Sequence, residues 1–218
     1  MIRRRVVQGA VVALLGLGTW QIASAGWIHA KALLAQRLIA SAWEEARDGG
    51  PARRPWPGAD LRPIARLSVA SRGVDLYVLD NASPRALAFG PAHVGGTAAP
   101  ASDGNSVLVA HRDTHFAFLK TIVLGDEIEV EAPGRIARYR VSEVTIMDKD
   151  EARVLDEPGA RQLTLVTCYP FDAVRPGTSL RYVVVAERIE SGVTRSAHRP
   201  AGGPSPGSPA SSRAQSAG

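Results

Sequence analysis

The chain has 218 residues, 26 basic and 21 acidic, for a formal charge of +5 and a sequence pI of about 9.9. That length suits one medium domain with appendages rather than two full domains, and 45% hydrophobic with 22% charged residues excludes a wholly disordered chain. A single Cys excludes an internal disulfide framework and a multi-Cys zinc site.

The basic excess lies at the ends. Residues 1–28 carry three Arg and no acid, residues 191–218 the same, while residues 61–190 carry 15 basic against 17 acidic groups. A DNA-binding domain would concentrate positive charge on its folded part, so nucleic acid is excluded as a partner.

Taken in chain order, Arg3, Arg4 and Arg5 precede a run from Val6 to Ile28 without a charged residue. At helical rise a run of this length spans about 35 Å, enough for the hydrocarbon core of a bilayer. Trp20 and Trp27 suit the far interface, and the Arg cluster keeps the start cytoplasmic. Residues 1–28 are therefore expected to form a membrane anchor, with the rest of the chain outside the cytoplasm. A cleaved signal peptide ending at Ala23-Ser24-Ala25 is the alternative, and it exports the same domain. Ala30 to Arg47 is rich in helix formers, and the Pro/Gly-rich residues 48–60 read as a loop or linker, so 29–60 are expected to be a helical stalk and linker.

From 61 to 190, short β-branched runs alternate with Gly, Pro, Asp and Asn. The expected strands are Ala65–Ala70, Leu76–Leu79, Ser106–Ala110, Glu127–Glu131, Ala137–Thr145, Gln162–Thr167 and Leu180–Glu187, with a helical turn over Phe116–Ile122. Ile128 and Val130 alternate with Glu127, Glu129 and Glu131, as in a half-buried strand. Val107–Val109 and Leu163–Val166 read instead as strands covered on both faces. The class is all-β, a barrel or a sandwich, and periodicity does not choose between them. Residues 191–218 hold 16 Ser, Pro or Gly among 28, a composition that cannot bury enough surface to order itself, so a disordered tail is expected.

The chemistry-bearing residues follow from the strands. Cys168 ends one expected strand and His111 follows another. A free thiol is mostly protonated at neutral pH and needs an imidazole to take its proton, or to stand by as imidazolium and protonate a leaving amine. Arg181, inside the next strand, is a permanently charged fork suited to a carbonyl or an oxyanion. On residues alone, an inert buried Cys and a surface Arg remain open.

Thr164-Leu165-Val166-Thr167-Cys168 resembles the TLxTC signature of sortases, the cysteine transpeptidases of bacterial surfaces. Phe89-Gly90-Pro91-Ala92-His93-Val94-Gly95-Gly96-Thr97 is similar to the family's Gly-Pro-x-His-x-x-Gly-Thr segment. Val107-Leu108-Val109-Ala110-His111-Arg112, followed by Phe116, Phe118 and Leu119, resembles its histidine strand. Gly125-Asp126-Glu127-Ile128 resembles the next strand, and Arg181 stands where the family has its Arg. The resemblance spans about residues 61–190 and is nearest to the Gram-negative, proteobacterial group.

The resemblance implies a closed eight-stranded β-barrel. It implies attack by Cys168 after the Thr of an LPxTG-like sorting signal on a surface protein, with His111 as general acid and base and Arg181 at the oxyanion. An acyl-enzyme thioester would pass to an amine acceptor, with Thr167 and Arg175 on the substrate side, in the periplasm beside the inner membrane. The chemistry needs no cofactor and no metal. Some family members bind calcium through clustered acids; here Asp148, Asp150, Glu151, Asp156 and Glu157 lack EF-hand spacing and read as a solvated loop. Ala110 replaces the Gly that many sortases have before the His, and Arg175 competes with Arg181. His115 is read as a loop residue, His93 as a turn residue, and Asp113 stands outside the core set. The rivals are a hydrolase releasing its product to water and a non-catalytic membrane-anchored β-domain. A papain-like order is excluded because His111 precedes Cys168, as is an L,D-transpeptidase, because Thr167 rather than Gly precedes the Cys.

Overall fold

Eight strands form here, and they close into a barrel. The structure is a computed structural model that describes residues 2–151, 161–173 and 177–189. Its strands are β1 (Pro63–Val69), β2 (Val74–Leu79), β3 (Ala92–His93), β4 (Asn105–Val109), β5 (Glu127–Ala132), β6 (Arg135–Asp148), β7 (Gln162–Cys168) and β8 (Leu180–Ile189). Around the barrel they run β1-β2-β3-β4-β7-β8-β6-β5, and β5 pairs back onto β1. Seven strands match the sequence expectation within a few residues at each end. The eighth, β3, holds only two residues, too few to show a period. The expected turn near Phe116 is a 3₁₀ turn over Ala117–Thr121.

The interior takes the apolar member of each alternation. Ile128, Val130 and Ala132 of β5 face Ala137, Tyr139 and Val141 of β6, and Leu163, Leu165 and Val184 complete the far wall. The acidic partners of β5 stay outside, where Glu129 and Glu127 pair with Arg138 and Arg140 across the strands, each at 2.8 Å. In β6, Ser142 is an extra residue between the pairs Val141↔Ala186 and Glu143↔Val185. This bulge lets a fourteen-residue strand bend and still return Val144 to the core.

A less exposed pair ties β5 to the turn after β1. Arg72 Nη2 donates to Asp126 at 2.6 Å, and the Val123 N–H donates to the same carboxylate at 2.9 Å. Burial pushes the Asp126 carboxyl up, but the Val123 N–H and the Arg72 guanidinium outweigh it and hold the group below its ordinary value. A lowered carboxyl stabilises the fold above the unfolded carboxylate range, and that stabilisation is lost as pH falls through the folded value. Asp126→Asn is therefore expected to cost about 1–3 kcal/mol at neutral pH, the usual cost of breaking a hydrogen-bonded charge. The gap to wild type should close in acid, which urea titrations at the two pH values would measure.

An unbroken helix, α1 (Ile2–Arg47), precedes the barrel. Ala35, Ile39, Ala42, Trp43 and Ala46 recur at helical spacing and are all buried, so the last third of α1 packs on β1 and β2. Ile39 joins Leu61, Leu79, Ala86 and Ala92 in a second apolar cluster, flanked by Trp56 and Phe89 in edge contact at 5.3 Å. Part of the expected stalk and linker is thus docked against the barrel. The helix stops at Gly49, which adopts φ +91°, and at Gly50, where a Cβ would lie 2.6 Å from the Glu45 carbonyl. Among the described residues, no helix is long and apolar enough to cross a membrane. The tail expected over 191–218 lies outside the described residues.

Candidate active site

β4 and β7 run parallel and adjacent, so their C-terminal ends emerge at one rim of the barrel. Their register pairs Val109 with Val166. Beyond it the Ala110 N–H donates to the Val166 carbonyl at 3.3 Å, and Thr167 Oγ1 donates to the Ala110 carbonyl at 2.7 Å. The next residues of the two segments are His111 and Cys168. On the other side of β7, the antiparallel β8 sets Arg181 opposite Cys168, and Met147 of β6 lies opposite Arg181. The three expected site residues therefore come from three neighbouring segments at one rim.

The pleat fixes which way they face. Leu163, Leu165 and Thr167 alternate inward, so Val166 and Cys168 stand on the outer face. Val109, Val166 and Val183 form an apolar strip one step below Cys168. Cys168 and Arg181 are half-buried and His111 is exposed.

Local packing holds each segment. The Phe116 N–H donates to the His111 carbonyl at 3.0 Å, and Phe116 and Leu119 are fully buried, which anchors the loop after the histidine. Behind Cys168, Tyr169, Phe171 and Tyr182 form three mutual ring contacts, the closest 5.1 Å between Phe171 and Tyr182. Arg181 Nη1 donates to the carbonyls of Thr178 at 2.7 Å and Leu180 at 2.9 Å.

The other expected residues divide. Thr167, expected on the substrate side, is 2% exposed with its hydroxyl committed to the Ala110 carbonyl. Strand alternation turns it inward, where it ties the ends of β4 and β7 together. Arg175 lies outside the described residues, as do Asp156 and Glu157. Among the described residues, no three His, Cys, Asp or Glu side chains converge as metal ligands. His93 Nε2 lies 2.9 Å from the Ala98 carbonyl and 3.0 Å from Thr97 Oγ1, in the turn before β4. Asp113 is exposed, and among the described residues no hydrogen bond joins it to His111.

His115 is near enough to His111 to feel its charge. Burial pushes the His115 imidazole below its ordinary value and His111 adds to this, against a hydrogen bond with the Ala88 backbone that favours the charged ring. The residue that sequence reasoning missed is Arg112, whose guanidinium bonds the β7–β8 connection at the Ala173 carbonyl, 2.6 Å. A lone Arg in a polar loop carries no pattern that would single it out.

A closed barrel with a part-exposed thiol, an imidazole and a guanidinium at one rim has the parts for nucleophilic acyl transfer. A sortase-domain family model matches residues 67–189, more than half of the chain, and the chain belongs to the sortase family. Sortase D of Bacillus subtilis (strain 168) is 26% identical over 124 residues, 56% of this chain and 62% of that protein, so the chain spans less than two thirds of that relative. The solved sortase C-1 of Actinomyces oris superposes with a TM-score of 0.53 at 27% identity, over 71% of this chain and 98% of that one. A Clostridium perfringens sortase D5 transpeptidase shares the fold, with a TM-score of 0.57 at 20% identity over 71% of this chain and 99% of the other.

Proposed function

We propose that this protein is a sortase-type cysteine transpeptidase that cleaves an LPxTG-like sorting signal and transfers the acyl part to an amine. The observation that carries this is the rim itself: Cys168 paired with Arg181 across β7 and β8, and His111 ending the segment beside them, within the family-matched span. The thiolate of Cys168 attacks the carbonyl carbon of the Thr in the signal, whose amide bond to the next residue is the one that breaks. The carbonyl oxygen takes the negative charge, facing the donors of Arg181 that the Thr178 and Leu180 carbonyls leave unused. His111 gives its proton to the departing amine as the C–N bond breaks, leaving a thioester. An incoming amine then attacks the thioester, His111 takes its proton, and Cys168 is released with a new amide formed.

The test is incubation with a small library of LPxTG-like peptides and an amine, read by mass spectrometry. Amide products support transpeptidation. Acid products alone would favour a hydrolase, and no turnover, with Cys168 labelled only on unfolding, would favour a non-catalytic β-domain.

Arg181 and Arg175 are separable by kinetics. Losing one donor that acts only in the transition state costs about 10²–10³-fold, in kcat and kcat/KM together. Arg181→Ala should fall in that range, and Arg181→Lys should rescue poorly because a point charge does not reproduce the fork. Arg175→Ala should mainly raise KM. Near-normal kcat in Arg181→Ala beside collapse in Arg175→Ala would reverse the assignment.

The location is part of the same proposal: a single-pass anchor over residues 1–28 in a bacterial inner membrane, with the catalytic barrel in the periplasm. Arg3–Arg5 before a charge-free run support it. A C-terminal tag should be protease-accessible in spheroplasts and stay with membranes through a carbonate wash. A soluble periplasmic species starting at Gly26 would mean a cleaved signal peptide instead.

A further inference from the structure

Arg112 directly follows the histidine, and its side chain reaches the β7–β8 connection. Nη2 donates to the Ala173 carbonyl at 2.6 Å and Nη1 to Thr178 Oγ1 at 3.4 Å. Ala173 lies midway along the connection, and Thr178 lies two residues before β8. Thr178 is thus held twice, because its own carbonyl accepts from Arg181 Nη1 at 2.7 Å. The same Nη1 also reaches the Leu180 carbonyl at 2.9 Å, and that carbonyl takes the Tyr169 N–H at 3.0 Å, one residue past Cys168. The guanidinium of Arg181 therefore rests on a seat made of main-chain carbonyls just before and at the start of β8. Arg112 is the side chain that ties this seat to the segment carrying His111.

We propose that Arg112 is a positioning residue for the reaction. It fixes Ala173 and Thr178 to the histidine segment and thereby sets where the Arg181 guanidinium stands relative to Cys168. The inference rests on the Cys168, His111 and Arg181 reading. Arg112 acts through Arg181, and its fork is what allows it: a planar guanidinium holds two acceptors at a set angle, whereas an ammonium does not. A displacement of about 1 Å at such a group is enough to cost a large factor in rate.

The test needs no knowledge of the natural substrate. Cys168 is the only thiol, so the ratio of its alkylation rates by iodoacetate, an anion, and iodoacetamide, a neutral reagent of similar size, reads the positive field at Sγ. Arg181→Gln should lower that ratio. Arg112→Lys keeps the charge but loses the fork, and it should lower the ratio by about two- to fourfold, the effect of moving a nearby charge a few ångströms in a half-solvated site. Added to Arg181→Gln, it should change nothing further. With a fluorogenic LPxTG-type peptide, Arg112→Lys and Arg112→Met should both lower kcat with KM little moved and the melting temperature nearly kept.

A wild-type ratio in Arg112→Lys would overturn the inference, as would an effect that simply multiplies that of Arg181→Gln. If Arg112→Met fails to fold, the Lys variant still decides. The reading beneath it fails differently: turnover in Cys168→Ala, or an unchanged ratio in Arg181→Gln, removes the catalytic assignment whatever Arg112 does.

Discussion

Replacing Cys168 with Ala is expected to abolish both peptide cleavage and amide formation while leaving the fold nearly intact. The side chain ends β7 on the outer face and is only half-buried, so no core contact depends on it. Cys and Ala also differ little in volume, which keeps any cavity cost small. The strand end is held by other groups, namely Thr167 Oγ1 on the Ala110 carbonyl and the Tyr169 N–H on the Leu180 carbonyl. Circular dichroism and melting should therefore match wild type while mass spectrometry finds no product. Because the chain has no second thiol, no other residue can form the thioester, and retained turnover would end the assignment.

His111→Ala is expected to remove nearly all activity and to change the shape of the pH profile. A thiol and an imidazole in one site titrate as a pair, so kcat/KM for wild type should trace a bell. The acid limb follows ionisation of the thiol, and the basic limb follows loss of the imidazolium that protonates the leaving amine. Without His111 the bell should disappear. His115→Ala should keep both the bell and most of the rate, because burial already disfavours the charged ring there. A larger loss at His115 than at His111 would exchange their roles.

Alternation reveals the strands with one wet and one dry face, while β4 and β7 are legible as short continuous apolar runs. In β5 the Glu and Val/Ile alternation is enough to name the inward residues, because a charged side chain and an aliphatic one cannot trade faces. β3 escaped because two residues carry no period. The closure of β5 on β1, and the parallel pairing of β4 with β7, join segments far apart in sequence and leave no local trace. That pairing is what makes His111 and Cys168 neighbours, so the site was legible as residue types and motif but not as geometry. A motif position says nothing about the face of Thr167, whereas counting from Leu163 and Leu165 turns it inward. The docked face of α1 was present in the spacing from Ala35 to Ala46, yet a run of good helix formers reads equally well as a free stalk when its partner, the outside of β1 and β2, is unknown.

That docked face separates the catalytic unit from the folding unit. The family match begins at residue 67, inside β1, and a chain trimmed there would lose half of the strand that closes the barrel onto β5. Trimming at residue 61 would spare the barrel but uncover Leu79, Ala86 and Ala92, which Ile39 now covers. A fully buried Ile contributes about 1.5–3 kcal/mol, and the uncovered apolar patch would invite self-association. The smallest autonomous piece of this protein therefore starts before Ala35, with the last three turns of α1 serving as a wall of the globule.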